Sequence, residues 1–292
     1  MSKGLLDPKV DFVFKNIFGS PNHPEILISF LNATLKAKKK IVNVDIKKTD
    51  IEKQYIEDKY SRLDVKATTS NDEIINIEIQ LKNENNMVKR SLYYLSKMYE
   101  EQLNEKEDYS KLVRTVCINI LNFKYLKTDN FHTGYRFKEI ESNEELTDIM
   151  EVHFIEIPKL QDSSDEKDML VAWTEFLKDP ESEKVRGLEL SIEEIRQAKD
   201  ELIRMSNDST QRELYDMRAN SLRDKMSELN AAERKGIEKG REEGREEGRK
   251  EGIEEGRKEE KIEMARNMKL SGLDTNTIAK ITNLSEDEID KL

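Results

Sequence analysis

Asp64 and Glu78 are the residues whose types and spacing most readily do chemistry. Residues 60–69 and 73–81 alternate apolar and polar side chains around the turn-forming run Ser70-Asn71-Asp72, and so read as a β-hairpin. On the first strand Leu63, Val65 and Ala67 share one face, and Arg62, Asp64 and Lys66 the other. On the second, Ile75, Ile77, Ile79 and Leu81 lie opposite Asn76, Glu78 and Gln80. Asp64 and Glu78 therefore project from one side of adjacent strands. Two carboxylates so opposed repel each other in a bare sheet. A divalent cation between them turns repulsion into binding, and hard oxygen ligands with room for water suit Mg²⁺, with Mn²⁺ as a substitute. Such an ion activates water and neutralises a phosphodiester. The Ile79 backbone carbonyl is a candidate to complete the set. The plain alternative is a solvated, charged face of sheet.

Asp64, followed after a turn by Glu78-Ile79-Gln80, resembles the acidic–turn–E-x-K signature of PD-(D/E)XK nucleases, in the variant where glutamine replaces lysine. The opening run Asp7-Pro8-Lys9-Val10-Asp11-Phe12-Val13-Phe14-Lys15 is similar to the start of the transposase-like, recombination-promoting (Rpn) branch. So are Arg90, Tyr93 and Tyr94 on a following helix and the Glu/Gly-rich tail. The likeness covers residues 4–260, with its motifs concentrated before residue 100. It implies a restriction-endonuclease-like α/β fold, a mixed central sheet flanked by helices, and Mg²⁺-dependent hydrolysis of DNA linked to mobile elements or recombination. It assigns Asp64 and Glu78 as metal ligands, Gln80 to the place of the water-orienting lysine, and Asp11 to that of an acidic helper. Glutamine is neutral; it neither steadies a developing anion as an ammonium does nor acts as a general base. Lys66 on the Asp64 face, or Lys82 beyond Glu78, is then the stand-in charge.

Lys15, Arg90 and Tyr94 are the candidates for substrate contact. Against that, Asp11 and Lys15 are four apart and can form a helix-surface pair worth a few tenths of a kcal/mol, and Tyr94 can simply pack. Lys36 and Lys38 to Lys40 form a basic run that suits phosphate or, more plainly, a solvated loop.

The elements that must position these residues are legible from periodicity. Val10, Val13, Phe14, Ile17 and Phe18 predict a helix over 8–18 that stops at Gly19, and Pro24 opens a second. A strand is expected at 41–46, the hairpin next, then a helix over 87–104. Strands at 113–123, 133–140 and 151–157 follow. This order fits a sheet with helices packed around it. Beyond 165 only helical patterns remain, at 165–178, 189–205 and 208–230, so a long helical C-terminal extension is expected. The organisation reads as a nuclease-like core over 1–160, a helical region over 161–230, a glycine-repeat arm or linker over 231–264, and a small helical cap over 265–292.

Composition bounds the rest. The 292 residues carry a net charge of −11, unevenly placed: residues 1–130 hold 22 Lys and Arg against 19 Asp and Glu, the remainder 28 against 42. The first part tolerates a polyanion without demanding one. The single cysteine, Cys117, excludes an internal disulfide and reads as a small core residue. His23, His132 and His153 lack the paired spacing of a zinc site. With no eighteen-residue apolar run and no signal-like N-terminus, a soluble, cytoplasmic protein is expected, with no membrane partner.

Gly236, Gly240, Gly244, Gly248, Gly252 and Gly256 recur every fourth residue among Glu, Arg and Lys. Each costs a helix about 1 kcal/mol relative to alanine, and pairs such as Glu242/Arg245 and Glu246/Arg249 recover only about 0.2–0.5 kcal/mol apiece. Alone, the segment is expected to fray. A close-approaching second copy changes that sum, so the repeat reads as a self-association arm making a homo-oligomer, against a flexible linker. Four residues advance about 400° around a helix, so the stripe drifts, and a short or right-handed coiled-coil crossing is expected rather than a long seam. In the last residues, 273–281 and 285–292 form two helical arms, Ser285 and Glu288 supplying a capping box for the second. Glu286, Asp287, Glu288 and Asp290 there would be repelled by phosphates, which favours a cap over a DNA-reading helix-turn-helix. Two functions result: a DNA endonuclease, or a catalytically silent nuclease-fold protein acting in DNA binding or assembly. No residue selects for or against a 2′-hydroxyl, so RNA stays open.

Overall fold

The computed structural model describes residues 4–36, 39–47, 65–165 and 167–292. Asp64, Lys38 and the 60–64 portion of the predicted hairpin lie outside them. Two compact units divide the chain, Met1–Leu222 and Arg223–Leu292.

The first unit is built on a six-stranded sheet in the order β1-β2-β3-β4-β6-β5. β1 (Val44–Lys47), β2 (Val65–Thr69) and β3 (Ile74–Gln80) form an antiparallel meander. β4 (Thr115–Leu121) and β6 (Glu145–Glu156) continue parallel to β3, and β5 (His132–Lys138) closes the far edge antiparallel to β6. β4 is buried along its whole length, as a central parallel strand covered on both faces must be. β6 is longer than the predicted 151–157; its first half is partly exposed, so polar residues there hide it from a hydrophobic pattern.

Alternation sorts the two faces. Ile75, Ile77 and Ile79 of β3 and Val116, Ile118 and Ile120 of β4 enter the main core. That core is filled by α1 (Asp11–Phe18), α2 (Pro24–Leu35), α4 (Met169–Lys178), α5 (Glu183–Glu189) and α6 (Glu193–Asn207). The helix predicted at 189–205 is α6, and α5, just before it, is a short helix the pattern did not predict; Leu190 to Ile192 join the two. Phe18 stacks on Phe14 at 4.6 Å and meets Phe30 and Trp173 edge-on at 5.4 and 5.3 Å, locking α1, α2 and α4 together. Gly19 ends α1 where a Cβ would lie 2.6 Å from the Lys15 carbonyl oxygen. The opposite face is covered by α3 (Met87–Glu100), whose Met87, Tyr94, Leu95 and Met98 pack on Cys117, Leu121, Val152 and Phe154. Cys117 is the buried core residue expected.

One helix, α7, runs unbroken from Ser209 to Leu270, through all six glycines of the repeat. This differs from the expected fraying. Tyr215 and Leu222 near its start pack on the main core, and Ala265 near its end is buried, so each end is nucleated by packing and the middle need only propagate. Lys239–Glu243 and Glu246–Lys250 pairs line the repeat. Within the second unit, α8 (Thr275–Thr282) and α9 (Glu286–Asp290) bury Ile278, Leu284 and Ile289 against Ala265. The Ser285–Glu288 capping box is formed as predicted.

Among the described residues no helix is long and apolar enough to cross a membrane.

Candidate metal centre

The polar face of β3 looks toward α3, and Glu78 lies at its middle with 1% of its surface exposed. Its Oε2 accepts a hydrogen bond from Arg90 Nε at 3.2 Å, across a single turn from the start of α3. Its Oε1 is buried with no partner among the described residues. Burial pushes the Glu78 carboxyl above its ordinary value, opposed by the Arg90 charge and by a hydrogen bond from the Asn76 side chain. Arg90 is itself seated against the Tyr94 ring, 5.3 Å from its centroid, so the guanidinium is held from two sides.

An acidic oxygen kept from water without a donor is rare in folded proteins. It is the kind of atom that a hard cation satisfies, and the chemistry of Glu78 fits a divalent metal on that ground. Asp64, its expected co-ligand, lies outside the described residues. The last described β2–β3 pairs are Lys66 with Asn76 and Val65 with Ile77. Lys66 reaches toward α3, its Nζ 3.7 Å from Glu101. Gln80 ends β3 beside Leu121, partly exposed. The Ile79 side chain is in the main core.

Asp11 belongs to α1, and α1 packs on the other face of the sheet. Its Oδ2 accepts from Arg218 of α7 at 2.7 Å and its Oδ1 from the Phe12 amide. Lys15 lies exposed one turn further along α1. The structure therefore groups Glu78, Arg90 and Tyr94, puts Lys66 on the same side of the sheet, and sets Asp11 in a separate contact with α7.

Two polar groupings go beyond the sequence reading. Asn76, 1% exposed, is one: an amide among isoleucines, on the Glu78 face, is a signal that the alternation carries and that carried no role. The other joins histidines that look scattered along the chain. β5–β6 pairing brings His132 Nε2 to 2.9 Å from His153 Nδ1, and His153 Nε2 lies 2.8 Å from Glu151. Glu151 also pairs with Arg114 and with Arg136, whose Nε is 3.1 Å away, and Arg114 continues to Glu73. Burial alone would raise the Glu151 carboxyl, but hydrogen bonds from His153 and Arg114 hold it at about 2. Burial and the neighbouring His153 pull His132 down to about 4. Among the described residues no group of three His, Cys, Asp or Glu could hold a metal ion, at this network or around Glu78.

Residues 8–232 match the family model of the PD-(D/E)XK nuclease family transposases. Residues 258–292 match a second model, the C-terminal helix-turn-helix domain of the Rpn/YhgA-like nuclease family. Neither curated proteins nor solved structures gave a match. The residues read as a small helical cap, 265–292, fall inside this second match, which takes in α8 and α9. The acidic residues of α9 that argued otherwise are indeed exposed, but the fold of the module is set by its buried Ile278, Leu284 and Ile289.

Proposed function

The chain belongs to the PD-(D/E)XK nuclease family of transposases, in its Rpn/YhgA-like nuclease branch, and from that premise we propose that it is a Mg²⁺-dependent endonuclease hydrolysing DNA phosphodiester bonds. The observation that carries the proposal is the buried Oε1 of Glu78, which has no partner among the described residues. Asp64, Glu78 and the Ile79 carbonyl are the ligands proposed. Asp64 lies outside the described residues and enters this set on the sequence resemblance alone. A divalent ion there would supply an acidified water and offset phosphate charge.

The chain's own residues do the rest. Glu78, fixed in the centre of the sheet, cannot drift from its ligating position. Arg90, held against Tyr94, gives a cation beside the site and is the proposed phosphate contact, with Tyr94 keeping it in place. Gln80 orients by hydrogen bonding and moves no proton. Lys66 supplies the ammonium on this side of the sheet that Gln80 lacks. Asp11, engaged by Arg218, acts as a helper only if that pair opens. Lys15 is proposed as an outlying phosphate contact. The helix-turn-helix domain favours DNA as the partner, with the α7 glycine stripe as a homo-oligomer contact and the cytoplasm as the place of action.

Gln80 favours a second reading, a catalytically silent protein that keeps the fold for DNA binding or assembly. Nicking of supercoiled plasmid in Mg²⁺ or Mn²⁺ separates the two. Wild type should nick, and Asp64→Ala and Glu78→Ala should not. Folded wild type that neither nicks nor binds Mn²⁺ supports the silent protein; activity surviving both substitutions misplaces the site.

A further inference from the structure

We propose that Asn76 is an additional oxygen ligand of the divalent cation, through its carboxamide Oδ1, an assignment that rests on Glu78 being the metal ligand proposed above.

Asn76 and Glu78 are two apart on β3 and so share a face, and each is 1% exposed. Each keeps one buried oxygen without a partner among the described residues, Oδ1 of Asn76 and Oε1 of Glu78. Both orphans are acceptors. An electropositive group suits both, and because one of the two atoms belongs to a carboxylate a cation is favoured over a neutral donor.

The orientation of the amide is fixed by its other end. The Asn76 side chain hydrogen-bonds the Glu78 carboxylate and the Cys117 thiol, and toward a carboxylate only the NH₂ can donate. Turning the amide over would set its oxygen against the carboxylate. Oδ1 is therefore left over by construction. Lys66, directly across the β2–β3 pair from Asn76, leans to Glu101 at 3.7 Å and does not fill the need. A neutral amide oxygen is a hard ligand of the kind Mg²⁺, Mn²⁺ and Ca²⁺ take beside carboxylates. It adds a ligand without adding charge repulsion to a site that already holds Glu78.

The test is Mn²⁺ binding by the full chain, measured by calorimetry and by the Mn²⁺-induced rise in Tm, with no nucleic acid present. Asn76→Ala should weaken Mn²⁺ binding about tenfold or more while leaving the far-UV and near-UV circular dichroism unchanged. Asn76→Asp, which restores an oxygen and adds charge, should bind at least as tightly as wild type and show a larger Mn²⁺-induced rise in Tm than Asn76→Ala. If Asn76 only donates to Glu78, Asn76→Asp gains nothing from Mn²⁺, and that result overturns the assignment even where Asn76→Ala fails to fold. Wild-type affinity in folded Asn76→Ala overturns it equally, as a buried water at Oδ1 would predict. Wild type that binds no Mn²⁺ overturns the reading of Glu78 along with it, whereas wild type that binds and a variant that binds equally removes Asn76 alone.

Discussion

Arg90 Nε lies 3.2 Å from one oxygen of Glu78 while the other oxygen of that carboxylate is buried with no partner among the described residues. The pair is thus lopsided. Burial raises the Glu78 carboxyl despite the guanidinium, so the folded chain holds a proton there more readily than the unfolded one. The stability this gives is fully present below the unfolded value near 4.5 and is lost as pH rises through the folded value. Glu78→Gln should therefore melt higher than wild type near neutral pH in chelator, and the difference should shrink toward pH 4. Mn²⁺ should raise the Tm of wild type and leave Glu78→Gln unmoved. Thermal melts from pH 4 to 8 check both; a difference that does not vary with pH would falsify the account of Glu78.

Arg90→Ala removes the charge that pairs with that carboxylate among the described residues. A loss of about 1–3 kcal/mol is expected, toward the lower end because the arginine side chain is 28% exposed and water can partly replace it. Saturating Mn²⁺ should return part of the loss, since a cation on Glu78 does the same electrostatic work. Urea denaturation with and without Mn²⁺ measures it, and a loss indifferent to metal counts against a shared role.

His132 titrates in a different window. Its ring is pulled down to about 4 by burial and by His153, so the protein is stabilised in full above the unfolded value of 6.5 and loses that stability as pH falls from 6.5 toward 4. His132→Gln should flatten this part of the acid limb, read from urea midpoints at pH 7, 5.5 and 4.5. Glu151, held at about 2, loses its contribution only between 4.5 and 2. Glu151→Gln should cost roughly 2 kcal/mol at pH 7 and leave the upper window alone.

The repeat offers a two-sided test. A Cβ at Gly240, Gly244 or Gly248 meets nothing within 4 Å, so alanine there has no clash inside the chain. Each substitution should stabilise the helix by about 0.5–1 kcal/mol. If the stripe is where two backbones meet, the triple alanine variant should also dissociate at higher protein concentration than wild type. Circular dichroism gives the first quantity and sedimentation the second. A wild-type mass that stays monomeric at every concentration ends the oligomer proposal.

Trp173 is fully buried where α1, α2 and α4 meet, and its Nε1 donates to Ser29 Oγ at 3.2 Å. Trp173→Ala should cost about 3–5 kcal/mol. Phe137, half exposed on β5, should cost within about 0.5 kcal/mol when replaced. Guanidinium denaturation of the two variants tests whether the core lies where these burials place it.

The strands nearest the site were legible because their alternation is sharp: Ile75, Ile77 and Ile79 must face one way, which turns Asn76 and Glu78 the other. What the pattern could not carry was pairing at a distance. Nothing in the spacing of His132 and His153 announces a contact; β5 and β6 bring them together. The first half of β6 hid because its residues are partly exposed, and α5 was missed because seven residues with only Val185 and Leu188 buried give too short a period to read. Propensity misjudged α7, where packing at Tyr215, Leu222 and Ala265 supplies the nuclei that glycine denies. The role of Asn76 needed the burial of one oxygen, a fact that no one-dimensional pattern contains.

The four-residue repeat of α7 also makes this stretch a quantised ruler. Removing or duplicating one unit, such as residues 240–243, changes the helix by about 6 Å and leaves every remaining glycine in phase with its neighbours. A change of one, two or three residues breaks that phase. Whole-unit changes of this kind fall between the sheet holding Glu78 and the small module closing on Ile289 and remove no residue of either.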